Sequence, residues 1–309
     1  LAPQERTTDE VASFLGDYFI GVSQVEPIVG GEWSRAFSFA ANGEEFVVRF
    51  GEYGGDYRKD QIAERFASPR LPVPQVVRIG STNDEAFAIS RRIFGEPLDR
   101  LEGESFRAVL PSLLSALDEL RFVETSASSG FGVWNESEDA PYSTWREALT
   151  SVVDNEHGGR VGGWPALLAS RPGARAAFDR AARALDSLAS NAPEERHVIH
   201  ADMLGDNVRV SGDQVAGVVD WGASMYGDFL YDTARIHFFQ PWYPDFRDVD
   251  VLGEARRFFT RDGRTLHDFD ERIRTCALHV GLDAQAYDAW TQRWQELERS
   301  SARTLEFVR

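Results

Sequence analysis

A single cysteine, Cys276, stands in 309 residues, so no internal disulfide can form, and no Cys/His grouping with zinc-ligand spacing is present. Lysine is as scarce. Lys59 is the only one, and the remaining strong cations are all arginine, so a phosphate must be gripped by Lys59 or by an arginine. No apolar run approaches the roughly 20 residues of a membrane span. Leu1 to Glu10 is polar and acidic, without signal-peptide character. Positive charge is short overall: 33 Lys and Arg face 50 Asp and Glu, a net charge of −17. This balance argues against nucleic-acid binding, which needs cations to neutralise phosphates, and against anionic membranes. It suits a cationic small-molecule partner. The expectation is a cytoplasmic, monomeric protein with no nucleic-acid or membrane partner.

What is present reads as an α+β chain long enough for two lobes. Val11, Phe14, Leu15, Tyr18 and Phe19 recur at helical spacing, with Thr8 as cap. Val25–Val29 and Arg35–Ala40 read as strands around Gly30-Gly31-Glu32-Trp33-Ser34, and Glu45–Phe50 follows the Asn42-Gly43 turn. A helix is expected over Lys59–Phe66, then strands at Val76–Ile79 and Ala86–Arg92. The breaker Phe94-Gly95-Glu96-Pro97 closes a first lobe at residues 1–95. The rest, residues 96–309, reads as mainly helical. Phe106 to Leu120 mark an apolar helix face, with Pro111 either starting or kinking that helix. Ser126–Ala140 reads as loop. Helices are expected at Thr144–Val153, Ala174–Leu188, Asp228–Phe239 and most of the chain from Asp248. His197–His200 is a short strand, and Asn207–Val210 with Val215–Val219 form a hairpin.

The chemistry sits in the run from His200 to Trp221: His-Ala-Asp-Met-Leu-Gly-Asp-Asn, the hairpin, then Asp-Trp-Gly. Asp202 and Asn207 stand five residues apart and Asp220 follows thirteen after Asn207. Each alone is an ordinary turn acid or amide. Together they match the H-x-D-x-x-x-x-N and D-x-G set of protein kinases, which implies phosphoryl transfer from a magnesium-bound nucleotide. Asp202 takes the role of catalytic base, and Asn207 and Asp220 offer the oxygen ligands a hard cation prefers. His200 is expected to be structural, and Asp232 an acid that ties down the catalytic loop.

Upstream, Ser34 and the Gly30-Gly31 turn lie where backbone N–H groups can approach phosphates. No G-x-x-x-x-G-K-[ST] occurs, which excludes a P-loop enzyme. Arg49 occupies the place of the phosphate-contacting strand lysine, with Glu64 its expected carboxylate partner on the next helix. The strand Ala88–Arg92, with Ser90 and Arg92, is the expected adenine-pairing segment. Only about seven residues separate Asp220 from the next expected helix, and no A-P-E follows. This leaves no docking segment for a protein substrate and points to a small-molecule hydroxyl. Asp228, Asp245, Tyr226, Trp242 and Trp290 are candidates to line its cleft.

At Gly31-Glu32-Trp33-Ser34-Arg35-Ala36-Phe37-Ser38-Phe39, Ile89-Ser90-Arg91-Arg92, Thr144-Trp145-Arg146, His200-Ala201-Asp202, Asp220-Trp221, Met225-Tyr226-Gly227-Asp228 and Phe239-Gln240-Pro241-Trp242, the chain resembles the aminoglycoside phosphotransferases, and among them the hygromycin branch. The resemblance implies a bilobal protein-kinase-like fold with a five-stranded antiparallel N-lobe sheet and a mainly helical C-lobe bearing a short catalytic hairpin. It implies ATP and Mg2+, with a cationic aminoglycoside such as hygromycin B as acceptor. It places Asp202 as base and Asn207 and Asp220 on the metal, and fits arginine at Arg49; beside these the candidates are Ser34, Arg49, Glu64, Ser90 and Arg92 for the nucleotide, and Tyr226, Asp228, Gln240 and Trp242 with Asp202 for the acceptor. Gly205-Asp206 and Gln240 depart from the branch's pattern. A kinase of another small alcohol (macrolide, sugar or amino alcohol) and a non-catalytic nucleotide-binding module remain the alternatives.

Overall fold

The computed structural model describes residues 6–28, 31–82, 84–154 and 160–309. The expected strand end at Val29 and the first glycine of the Gly30-Gly31 turn lie outside them. In chain order come α1 (Thr8–Gly16), β1 (Ser23–Ile28), β2 (Ser34–Ala41), β3 (Glu44–Gly51), α2 (Gly54–Ala63), β4 (Val76–Ser81), β5 (Ala86–Arg91) and β6 (Glu96–Pro97). Then follow α3 (Gly103–Arg121), β7 (Gly132–Val133), α4 (Trp145–Thr150), α5 (Trp164–Ala169), α6 (Pro172–Ala189), β8 (His197–Ile199), β9 (Val208–Ser211), β10 (Gln214–Val218) and β11 (Met225–Gly227). The chain finishes with α7 (Tyr231–Phe239), α8 (Val251–Phe259), α9 (Phe269–Trp290) and α10 (Trp294–Glu306). No helix among the described residues is long and apolar enough to cross a membrane.

The fold is α+β, and the chain gathers into two compact units: Leu1–Arg100 with Gly205–Ala223, and Leu101–Leu204 with Ser224–Arg309. The first unit is built on an antiparallel sheet of order β1-β2-β3-β5-β4. Period-two alternation gives its strands two unlike faces. Phe37, Val48 and Ile89 form one cross-strand row and Phe50 opposes Phe87. These side chains are buried with Val11 and Leu15 of α1 in one apolar cluster. The opposite face carries Ala36, Arg49 and Ala88 in one row and Ser38, Val47 and Ser90 in the next. The β2–β3 turn is Asn42-Gly43 with φ of 55° and 79°, the left-handed pair that a tight hairpin needs.

The hairpin β9–β10 belongs to this unit although more than a hundred residues separate it from β5. It pairs with β6, which gives a second sheet of order β10-β9-β6. Gly95 makes that approach possible: its φ is 140°, and a Cβ there would sit 2.6 Å from the carbonyl oxygen of Val210.

Three local expectations change. Thr7 rather than Thr8 caps α1, because Glu10 lies three residues beyond it and closes a capping box. α2 begins at Gly54, five residues before the expected Lys59, and gives way to a 3-10 turn at Glu64–Phe66. α7 begins at Tyr231 rather than Asp228, since the Asp228 carboxylate accepts the amide of Leu230 at 3.0 Å and holds a turn there.

The second unit is a helical assembly around α9. Ile273, Cys276, Ala277, Leu278, Val280, Leu282, Ala286 and Ala289 are all buried. A helix apolar on nearly every side is a central one, and α4, α5, α6, α7 and α10 all pack on it. Pro111 sits inside α3 rather than at its start. The short sheet β7-β11-β8 carries the end of β8 toward His200.

Candidate active site

In the first unit the polar face of the sheet and the hairpin enclose a cavity of about 340 Å³. Gly31, Ser34, Arg49, Ser90, Arg92, Asn207 and Asp220 all line it. Six of these were expected nucleotide or metal residues, contributed by three strands and both ends of the hairpin. The backbone bond from Val219 N to Asn207 O, 2.9 Å, closes the hairpin and brings Asn207 beside the chain entering Asp220. An amide and a carboxylate oxygen suit a hard cation, which would take its remaining ligands from phosphate and water.

Arg49 is held on the cavity wall by carboxylates. Its Nη2 is ion-paired with Asp60 Oδ2, and its Nη1 lies 4.0 Å from Asp220 Oδ1. Burial alone would disfavour the charge, but Asp60 and then Asp220 more than offset it and hold the guanidinium above its ordinary value. Asp60 also accepts the amide of Trp221 at 2.9 Å, and Lys59 Nζ donates to the carbonyl of Gly222 at 2.8 Å. One turn of α2 thus grips both the arginine and the Asp-Trp-Gly turn. Asp220 needs that grip: its φ is 65°, a region that costs a non-glycine residue of order 1–3 kcal/mol.

The expected Arg49–Glu64 pair is therefore corrected to Arg49–Asp60. Glu64 accepts the amide of Val76 at 2.6 Å and ties the end of α2 to β4. The cause is the early start of α2, which places Asp60 opposite the sheet. Lys59 and Asp60 carried no sequence signal of their own, beyond Lys59 being the only lysine. The adenine-pairing expectation also shifts. The amides of Arg91 and Arg92 are donated to Gln75 O and Glu45 O, so the Ala88–Arg92 backbone is engaged in the sheet. Ile93, Phe94 and Gly95, which also line the cavity, come next. The Arg92 guanidinium pairs with Glu45 at 2.7 Å, both partly exposed, a class of pair worth at most about 1 kcal/mol.

In the second unit the His200–Asp202 segment is fixed mainly by backbone bonds. His200 is fully buried, and its Nδ1 accepts the amide of Asp202 at 3.2 Å, which leaves the proton of a neutral ring on Nε2. The His200 amide donates to Asp232 Oδ2 at 2.9 Å. Burial pushes the Asp232 carboxyl up to about 7, against the amides of His200 and Ala201 and the charge of Arg235. Ala201 has a φ of 64°, so both motif turns contain a left-handed non-glycine residue. The Asp202 side chain is 39% exposed and accepts from Arg235 Nη2 at 2.8 Å.

Three of the seven expected acceptor residues are buried. Asp228 is buried, and both its oxygens face Arg272, at 2.7 and 2.8 Å. Tyr226 is buried, stacked on Trp134 with the Arg196 guanidinium 4.1 Å from its ring centroid. Gln240 is buried and donates to the carbonyls of Phe246 and Val249. These three are held by structural contacts, and for Asp228 and Tyr226 the partners lie too far along the chain for spacing to reveal them. Trp242 is half-buried, with its indole N–H on Glu296 at 2.7 Å. Asp245 is exposed and Trp290 half-buried.

A five-stranded antiparallel sheet with an arginine on its polar face, a hairpin framed by Asn207 and Asp220, and a helical unit behind the His-Ala-Asp turn define a kinase-like phosphotransferase fold. The chain belongs to the phosphotransferase enzyme family (APH), whose model matches residues 24–269. Among individual proteins it is similar to the hygromycin-B 4-O-kinase of Escherichia coli, 32% identical over 317 aligned residues that cover 97% of this chain and 88% of that protein. Among solved structures, aminoglycoside phosphotransferase APH(4)-Ia aligns with a TM-score of 0.85 at 29% identity over 98% of both chains. A thermostable mutant of that enzyme, in ternary complex with AMP-PNP and hygromycin B, aligns with a TM-score of 0.84 at 29% identity over 96% of this chain and 97% of the other. The GDP complex of aminoglycoside 2'-phosphotransferase-IIIa, at 15% identity over 98% of this chain and 99% of that one, shares the fold with a TM-score of 0.64.

Proposed function

We propose that this protein transfers a phosphoryl group from ATP to a hydroxyl of an aminoglycoside, with hygromycin B as acceptor. The observation that carries the proposal is the cavity lined by Ser34, Arg49, Asn207 and Asp220, in a chain similar over 97% of its length to a hygromycin-B 4-O-kinase. Residues 1–95 serve as the nucleotide-binding lobe and 96–309 as the catalytic and acceptor lobe, with the hairpin lending Asn207 and Asp220 to the nucleotide side. Arg49, preset by Asp60, and the turn before Ser34 hold the phosphates, and the backbone of Ile93–Gly95 faces the adenine. Asn207 and Asp220 would hold magnesium, which would neutralise phosphate charge. Asp202 orients the acceptor hydroxyl and receives its proton.

The acidic composition supports a cationic acceptor held partly by long-range attraction, an interaction that weakens as salt rises. A lone cysteine supports a cytoplasmic site of action, and the enzyme is taken to act there as a monomer. An ADP-release assay across acceptors tests the function. Saturable, magnesium-dependent turnover with hygromycin B is expected. Turnover with a macrolide or a sugar but none with hygromycin B would move the assignment to another alcohol. Nucleotide binding without turnover on any acceptor would reduce the protein to a binding module.

A further inference from the structure

Two of the largely buried arginines of the helical unit, Arg272 and Arg235, are used differently. Arg272 closes on Asp228 and Glu195 and links α9 to its surroundings. Arg235, on α7, donates Nη2 to Asp202 Oδ1 at 2.8 Å with its own side chain only 18% exposed. Its Nε is buried without a hydrogen-bond partner, and its guanidinium lies 5.1 Å from the centroid of the Phe239 ring. Around it stand Asp202 from the loop after β8, Asp283 and His279 from α9, and Tyr231 and Asp232 from its own helix. A buried cation whose fork is left incompletely satisfied is costly to maintain. Its strong bond goes to the one side chain in this unit placed as the base.

We infer that Arg235 is a positioning residue for Asp202, an inference that rests on the reading of Asp202 as base. The loop backbone is fixed by His200 and Asp232, and the carboxylate on that loop has two side-chain torsions to be set. A charge-assisted bond at 2.8 Å sets them. A carboxylate offers about four lone-pair sites, so engaging Oδ1 leaves acceptor capacity for a hydroxyl. In phosphoryl transfer through a loose transition state, aim of the nucleophile matters more than strength of the base. Arg235 also places one positive charge among Asp202, Asp232 and Asp283, which moderates their pull on a cationic acceptor.

These two effects separate on mutation. Arg235→Gln is expected to lower kcat by between about tenfold and a hundredfold, the scale of a small misplacement of a catalytic group. The acceptor KM should stay level or fall, because a cation has left an acidic surround, and the ATP KM should not move. Arg235→Lys keeps the charge without the planar fork, and should recover the acceptor KM but only part of kcat. A merely structural arginine would instead raise both KM values and lower the melting temperature in step with kcat. That pattern, or a kcat of Arg235→Gln within about twofold of wild type, overturns the inference. Should the Gln variant fail to fold, Arg235→Lys decides: reduced kcat at an unchanged melting temperature supports it, and wild-type kcat overturns it. Asp202→Asn is run alongside. If it is inactive while Arg235→Gln is normal, only the positioning role falls. If Asp202→Asn turns over normally, the base assignment falls and takes the positioning role with it.

Discussion

The sheet unit fixes Arg49 and the Asp220 turn mainly through charged side chains, whereas the helical unit fixes the backbone of the His200–Asp202 turn through amides and one buried acid. In the first, Arg49 is held between Asp60 and Asp220, and Lys59 and Asp60 grip the Asp-Trp-Gly turn. In the second, Asp232 takes the His200 amide and His200 takes the Asp202 amide. The chemistry accounts for the difference. In the proposed role a group that meets phosphate must keep its charge, so its partners are charges. On the proposed roles, a loop that carries a base must keep its shape, so its backbone is held by Asp232 and His200, while the Asp202 side chain, paired with Arg235, stays 39% exposed.

The contrast breaks most readily in the sheet unit. Asp60→Ala removes the partner of a buried arginine and the acceptor of the Trp221 amide together. Leaving one half of a buried pair uncompensated costs about 3–5 kcal/mol. Urea unfolding should show a loss on that scale, and the ATP KM should rise while the acceptor KM holds. Unchanged stability would mean that Asp220 alone can hold Arg49.

The helical unit responds to pH. Burial raises Asp232 to about 7, while an unfolded aspartate titrates near 3.9. Between those values the folded chain keeps a proton that the unfolded chain has released. This group therefore costs nothing extra below about pH 4, and its penalty grows as pH rises to about 7. The half-buried His237 and His279, both lowered to about 4 chiefly by desolvation, act in the opposite sense: their stabilising contribution is lost as pH falls from about 6.5 toward 4. They are common to wild type and Asp232→Asn, so the difference between the two proteins isolates Asp232. From pH 5 to pH 7 the stability difference should move toward the variant by up to about 2 kcal/mol. A difference independent of pH would mean that Asp232 is ionised throughout.

The sheet unit was largely legible in the sequence. Alternation in Arg35–Ala40 and Glu45–Phe50 marked its strands, and the same period placed Ser34, Arg49 and Ser90 on the face away from Phe37, Val48 and Phe50. Asn207 and Asp220 were legible from spacing because the hairpin between them is short and local. Asp60 was hidden behind a helix start that Gly54-Gly55 disguised. The acceptor residues were not legible. Asp228 and Arg272 are 44 residues apart, and composition cannot tell an acid that meets a distant arginine from one that meets a ligand. Arg235 was missed for the same reason, since its partner Asp202 lies 33 residues away in the chain.

The proposed division of labour makes the sheet unit's Asp220 a nucleotide residue and the helical unit's Asp202 an acceptor residue. Calorimetric titration of ATP with magnesium into wild type, Asp202→Asn and Asp220→Asn tests it directly. Asp202→Asn should bind the nucleotide as wild type does while its transfer to hygromycin B falls by about 10²- to 10⁴-fold, and Asp220→Asn should lose the magnesium-dependent part of its nucleotide affinity. Equal loss of nucleotide affinity in both variants, or full transfer activity in Asp202→Asn, would contradict the account.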